Sequence, residues 1–146
     1  MQEKETAYPK IHDFEFEGTS QPVEFVETTQ VVSGVECDVY NLLGDKTKDL
    51  GIIRIQPGGR TPPQRVVGGD RTIEGHVSGT GALVVIRTNG NGDPETYKFT
   101  DDASEKLSVE VKIGDVMQWR AAENSKLVVY EVCIPPYQDG RYENLQ

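Results

Sequence analysis

The side chains of this chain that could do chemistry are few, and their spacing excludes more than it assigns. His12 and His76 are its two imidazoles, and Cys37 and Cys133 its two thiols. A first-row divalent ion needs three or four ligands from His, Cys, Asp and Glu. No such set is spaced along the sequence, so neither a metal nor another cofactor is expected, and both histidines read as surface residues, His76 following a Glu74-Gly75 turn. The cysteines form no Cys-x-x-Cys pair and lie in strand-like apolar segments. They read as buried reduced thiols, a disulfide or a reactive thiol being the other reading. There is no Gly-x-Ser-x-Gly elbow, no phosphate-binding loop and no Cys–His pair at a telling distance, and the many glycines read as turn residues. Tyr130 and Glu131 fall on opposite faces of one strand, so only one of them can face an interior. Either could serve as a general acid or base if buried, but spacing identifies no partner base or nucleophile, and the catalytic residues stay unassigned.

The elements that must carry such groups are short strands. Val35, Cys37 and Val39 alternate with Glu36, Asp38 and Tyr40, and Leu107, Val109, Val111 and Ile113 alternate with Ser108, Glu110 and Lys112. That period of two marks strands with one buried face. Leu50 to Gln56, Gln64 to Val67, Asp70 to Ser78, Ala82 to Ile86, Val116 to Arg120 and Lys126 to Ile134 read the same way, with a further strand around Val23 to Val26 and another at Tyr97 and Phe99. Asn89-Gly90-Asn91-Gly92-Asp93-Pro94 is the strongest turn, since Asn and Gly tolerate positive φ and Pro94 cannot continue a central ladder. About nine to eleven strands at this spacing, with no long helix and no internal repeat, predict an all-β domain. Residues 1–20 read as an irregular surface arm anchored by Phe14 and Phe16, residues 21–137 as the barrel domain, and residues 138–146 as a tail.

Composition narrows the partners. The 146 residues fit one domain, and a net charge of −9 from 24 acidic and 15 basic side chains leaves no basic footprint for nucleic acid. No apolar run approaches the roughly 20 residues needed to span a bilayer, and MQEKETAYPK is too polar for the apolar core of a signal peptide. No membrane partner is expected, and the cytoplasm is the expected compartment.

The stretch from Gln56 to Val85 reads Pro57-Gly58-Gly59 turn, two short strands, Gly79–Gly81 turn and apolar strand. In this order it resembles the first signature of the cupin superfamily, and Ile113-Gly114-Asp115-Val116 resembles the opening of the second. Leu127 to Pro136 is similar to the strand that closes many small cupins. The resemblance spans roughly Leu50 to Tyr137 and implies a double-stranded β-helix, or jelly-roll, barrel. The family's first two metal-binding histidines are replaced by Gln64 and Val66, and the loop that delivers its last ligand is cut to Arg120-Ala121-Ala122-Glu123-Asn124. The implied metal site is therefore dismantled, and metal-dependent oxygenase or decarboxylase chemistry is disfavoured.

If the family's register holds, Gln64 and Val66 point into the barrel, Asp70 stands near the acidic-ligand position, and Val116, Gln118 and Arg120 share the facing strand's inner side. Two amides, a carboxylate and a guanidinium suit hydroxyls, carboxylates or phosphates held by hydrogen bonds. Trp119 could stack on a sugar ring and Tyr130 could line the same space, although a lone Trp is more often packing. Plainer readings stand beside these: Asp70 and Arg120 as a rim ion pair, the glutamines as ordinary strand residues. The resemblance implies a metal-independent protein that binds a small sugar-like or carboxylate molecule, with acid–base isomerase, epimerase or cyclase activity open. The alternative is a non-catalytic dimerisation or interaction module, and a homodimer with the arm contributing is expected in either case.

Overall fold

The computed structural model describes residues 10–16, 18–102, 107–137 and 140–145. Twelve strands are formed among them: β1 (Ile11–Phe16), β2 (Thr19–Val32), β3 (Val35–Leu42), β4 (Asp49–Ile55), β5 (Gln64–Val66), β6 (Arg71–Gly79), β7 (Gly81–Ile86), β8 (Glu95–Phe99), β9 (Ser108–Lys112), β10 (Val116–Ala121), β11 (Leu127–Ile134) and β12 (Tyr142–Asn144). Seven pair in the order β1-β2-β3-β4-β11-β6-β9 and five in the order β12-β5-β10-β7-β8. Every ladder among the described residues is antiparallel, and the two sheets face each other as a jelly roll. No helix among the described residues is long and apolar enough to cross a membrane.

Between the sheets lies an inner core of Val35, Ile53, Ile55, Val66, Leu83, Val85, Phe99, Val109, Val111, Met117, Trp119, Leu127 and Val129. A second core, with Tyr40, Leu50, Ile52, Val128, Tyr130 and Val132, covers the outer face of the seven-stranded sheet. What covers it is the sheet's own edge. β1 is separated from β11 by three strands, yet the Phe14 and Tyr130 rings meet edge-on at 5.4 Å, so the β1–β2 hairpin folds back over the sheet. β2 carries register shifts between Phe25 and Glu27 and between Gln30 and Val32, and such irregularities bend a strand. The irregular arm expected over residues 1–20 is thus corrected for Ile11–Phe16 and Thr19–Ser20, which are paired strand. Residues 1–9 and the side chain of Phe16 lie outside the described residues. The tail is corrected likewise, because Tyr142–Asn144 pairs with β5.

This double covering explains why β11 reads Leu-Val-Val-Tyr-Glu-Val-Cys-Ile: a strand buried on both faces needs apolar residues at nearly every position. It also explains Gly75, which sits opposite Tyr130 in the β6–β11 ladder. A Cβ there would stand 2.1 Å from the Tyr130 ring, so the ring can lie flat only over glycine. Gly75→Ala is expected to lower stability by about 1–3 kcal/mol, as overpacking does, measured as a fall in urea midpoint at unchanged m-value. At the barrel's other end the Gly114-Asp115 motif has a structural duty. Asp115 accepts from Thr88 N (2.9 Å), Lys112 N (3.0 Å) and Arg87 Nη1 (2.9 Å). Burial works to raise its carboxyl, but these donors hold it below the usual carboxylate range.

Candidate functional site

The structure does not bring the expected pocket residues together. On β5, Val66 is fully buried in the inner core, while Gln64 is half-buried and donates to Asn144 Oδ1 at 3.0 Å. Asp70 is exposed before β6 and pairs with its neighbour Arg71, not with Arg120. The largest correction is on β10. Its inner face carries Met117 and Trp119, which turns Gln118 and Arg120 outward. Gln118 donates to Thr61 O at 2.9 Å and accepts from Arg120 Nε at 2.7 Å, with Arg120 exposed. The physical reason is bulk, because burying an indole and a thioether removes far more apolar area from water than burying an amide does. Tyr130 is also outward, in the second core, and this places Glu131 inside.

Inside the barrel the sequence of β6 and β11 assembles something else. Glu131 and Glu74 are direct cross-strand partners in the β6–β11 ladder, both on the inner face. Glu74 is fully buried and receives the Trp119 Nε1–H on Oε1 at 2.8 Å. Its Oε2 stands beside the Thr72 hydroxyl and the Glu131 carboxyl, and no donor reaches it in hydrogen-bonding geometry. Glu131 is half-buried; its Oε1 accepts from Tyr142 Oη at 2.7 Å and from Cys133 Sγ at 3.5 Å. Burial raises the Glu74 carboxyl well above the usual range, and the adjacent Glu131 charge pushes it further, which the Trp119 N–H opposes. Two carboxyls in one low-dielectric site cannot both ionise readily, so the pair holds a proton.

Burial raises the surrounding groups as well. Tyr142 is raised by burial and then by Glu131. Burial is likewise the first cause at Cys133 and Cys37, which stay thiols and form no disulfide. Asp49, at the edge of the cluster, is raised by burial against the Tyr137 N–H it accepts at 2.9 Å. A carboxyl that stays protonated beside one open to solvent is the arrangement from which a general acid and a general base are made.

The metal of the cupin fold does not fit here. Val66 has no ligating atom, Gln64 is engaged by Asn144, and the β10–β11 turn carries no imidazole. No group of three or more His, Cys, Asp or Glu side chains able to hold a metal occurs among the described residues. His76 is half-buried rather than on the surface: its ring stacks on Phe99 at 5.6 Å and donates to Gly79 O at 2.7 Å.

Sequence reasoning missed Glu74 by taking Glu74-Gly75 for a turn; β6 runs through both residues and the chain turns only at Gly79–Gly81, as expected there, where Gly79 has φ of 88°. The available signal was a charge within a strand, Glu74 between Ile73 and Gly75, and Glu131 within the apolar run Leu127 to Ile134. Tyr142 had no such signal.

No protein-family model and no curated protein sequence matches the chain. Solved structures do. A structure of CapF with the inhibitor 3-isopropenyl-tropolone superposes with a TM-score of 0.63 at 12% identity over 86% of this chain. Oxalate decarboxylase from Bacillus subtilis gives 0.62 at 13% identity over 80% of the chain. The cupin-2 domain Rru_A2000 from Rhodospirillum rubrum gives 0.60 at 14% identity, covering 99% of this chain and 82% of that one. The chain spans 34% of CapF and 29% of the decarboxylase. Its two curled antiparallel sheets, closed around one inner core and matched nearly end to end by a cupin-2 domain, are the cupin fold.

Proposed function

We propose that this cupin-fold chain is a metal-independent protein that binds a small, hydroxyl-bearing polar molecule at the inner carboxyl pair and can perform acid–base chemistry on it, of the isomerase, epimerase or cyclase type. One observation carries the reading: a fully buried Glu74 stands directly across the ladder from a half-buried Glu131. Burying a carboxyl away from water costs stability, and such a cost persists where a function requires it. In this reading Glu131, the half-buried member of the pair, takes a proton from the ligand. Glu74 holds the compensating proton, with its orientation fixed by Trp119. Fold likeness cannot choose the chemistry, since the neighbours include a decarboxylase and a capsular polysaccharide assembling protein.

A second reading, a homodimeric interaction module in the same compartment class, draws on a different observation: the barrel centre is filled by Trp119, Leu83, Val85, Ile53 and Val66. The two are separated by a thermal-shift screen against neutral sugars, sugar nucleotides and small carboxylates, followed by calorimetry. A ligand of the folded state raises the apparent stability. Glu131→Gln is expected to weaken the binding of a hit by about tenfold, the loss of one charge-assisted hydrogen bond. A screen without hits, together with a dimer mass by light scattering, would favour the module.

A further inference from the structure

The charges around the carboxyl pair restrict the ligand further than its polarity does. Facing the pair are Thr72 on β6, Cys133 on β11, Tyr142 on β12, Trp119 on β10, Cys37 on β3 and Asp49 on β4, while β9 sets Val109 opposite Glu74. The nearby cation, Arg141, is buried, and its guanidinium is taken up by three carbonyls: Pro135 O (2.7 Å), Arg71 O (2.7 Å) and Ile134 O (2.9 Å). The site is thus acidic with no free positive group facing it among those residues, so an anion entering it meets repulsion and finds the Trp119, Tyr142 and Cys133 donors already engaged by the carboxyls.

The donors that face the pair are spent on Glu74 Oε1 and Glu131 Oε1, which leaves Glu74 Oε2 unfilled. Glu74 Oε2 and Thr72 Oγ1 are both fully buried without a hydrogen-bonding partner, and Glu131 is a half-buried acceptor beside them. On the side of β3 and β4 the row continues through Gly51, the ladder partner of Glu131, and Val39, and these two, with Cys37 and Asp49, are only half-covered. A primary ammonium brings three N–H donors and no acceptor, which complements two carboxyls and a hydroxyl as neither a carboxylate nor a phosphate can.

We propose that the Glu74–Glu131 pair, two facing carboxyls with a buried unpartnered oxygen between the strands, is a site for the primary ammonium group of a small amine. Its uptake displaces the proton the pair holds. The step balances without another reactant: the Glu74 O–H bond breaks, its proton leaves to water, and the ammonium N–H groups take its place between two carboxylates. This rests on the reading of the pair as a ligand site and narrows the ligand from hydroxyl-bearing to amino-bearing, as in an amino sugar. Binding that releases one proton strengthens by up to about tenfold per pH unit.

The test uses methylammonium chloride as probe, against sodium chloride at equal ionic strength and tetramethylammonium chloride, which has no N–H. Melting temperature is followed at about pH 6 and about pH 8 for the wild type, Glu74→Gln and Glu131→Gln. The expected result is a melting-temperature rise with methylammonium alone, larger at the higher pH and lost in both variants. Calorimetry in two buffers of different ionisation enthalpy is expected to return about one proton released per probe bound. A methylammonium response equal to that of sodium, or undiminished in Glu74→Gln, overturns the proposal. Failure of the underlying site reading looks different: a sugar from the neutral screen would then bind Glu131→Gln as strongly as the wild type.

Discussion

Glu74→Gln is expected to stabilise the protein at neutral pH, the opposite of what truncating a buried hydrogen-bonded residue normally does. The carboxyl's usual value is 4.5, and in the folded state burial first and the Glu131 charge second lift it well above that. Between those two values the unfolded chain has released a proton that the folded chain keeps. The folded state therefore binds more protons, and stability falls as pH rises, by about 1.4 kcal/mol for each unit of that interval. Glutamine has no such penalty. Its carbonyl can still accept the Trp119 N–H, and its amide can donate to Glu131. The expected result is a higher Tm for Glu74→Gln than for the wild type at neutral pH, with a difference that widens as pH rises. On the acid side the sign reverses for Asp115, whose carboxyl is held low, so its contribution is lost as pH falls. Wild-type stability should peak in mildly acidic solution, with the peak moving upward in Glu74→Gln. Parallel stability–pH curves for the two proteins would contradict the assignment.

The second large effect is at Trp119, fully packed in the inner core with its Nε1–H on Glu74. Trp119→Phe leaves a cavity and removes the one donor to Glu74 Oε1. Together these are expected to cost about 2–4 kcal/mol. The two parts can be told apart by pH. The cavity term is insensitive to it, whereas the lost N–H favoured the ionised form of Glu74, so the destabilisation should grow between pH 5 and pH 8. In a Glu74→Gln background that growth should vanish, a coupling that a double-mutant cycle reads directly. A pH-independent cost in both backgrounds would reduce Trp119 to a packing residue.

The contrast between what could and could not be read from the sequence has a physical origin. Alternation located β3 and β9, because one-faced burial writes itself into residue polarity at period two, and a continuous apolar run located β11, which is buried on both faces. Alternation says which residues share a face, not which face is inside. Gln118 and Arg120 were placed together correctly and on the wrong side, since polarity suggested a pocket and the burial of Trp119 and Met117 decided otherwise. Glu74-Gly75 looked like a turn because glycine is the usual turn residue; here Gly75 makes room for the Tyr130 ring in mid-strand. β1 was hidden by its charges. Asp13 and Glu15 face solvent on an edge, while Phe14 is buried on the opposite face. Tyr142 reaches Glu131 from a strand of three residues, too short to leave a pattern.

The central claim is that one carboxyl inside the barrel keeps its proton where every ordinary glutamate has lost it. Carbon-13 NMR of protein labelled at the glutamate side-chain carboxyls, titrated from acid through neutral pH, observes this directly. The account predicts one carboxyl carbon that remains at the protonated shift when the exposed glutamates have titrated, absent from Glu74→Gln and displaced in Glu131→Gln. A wild-type spectrum in which every glutamate carbon titrates within the usual range would contradict it.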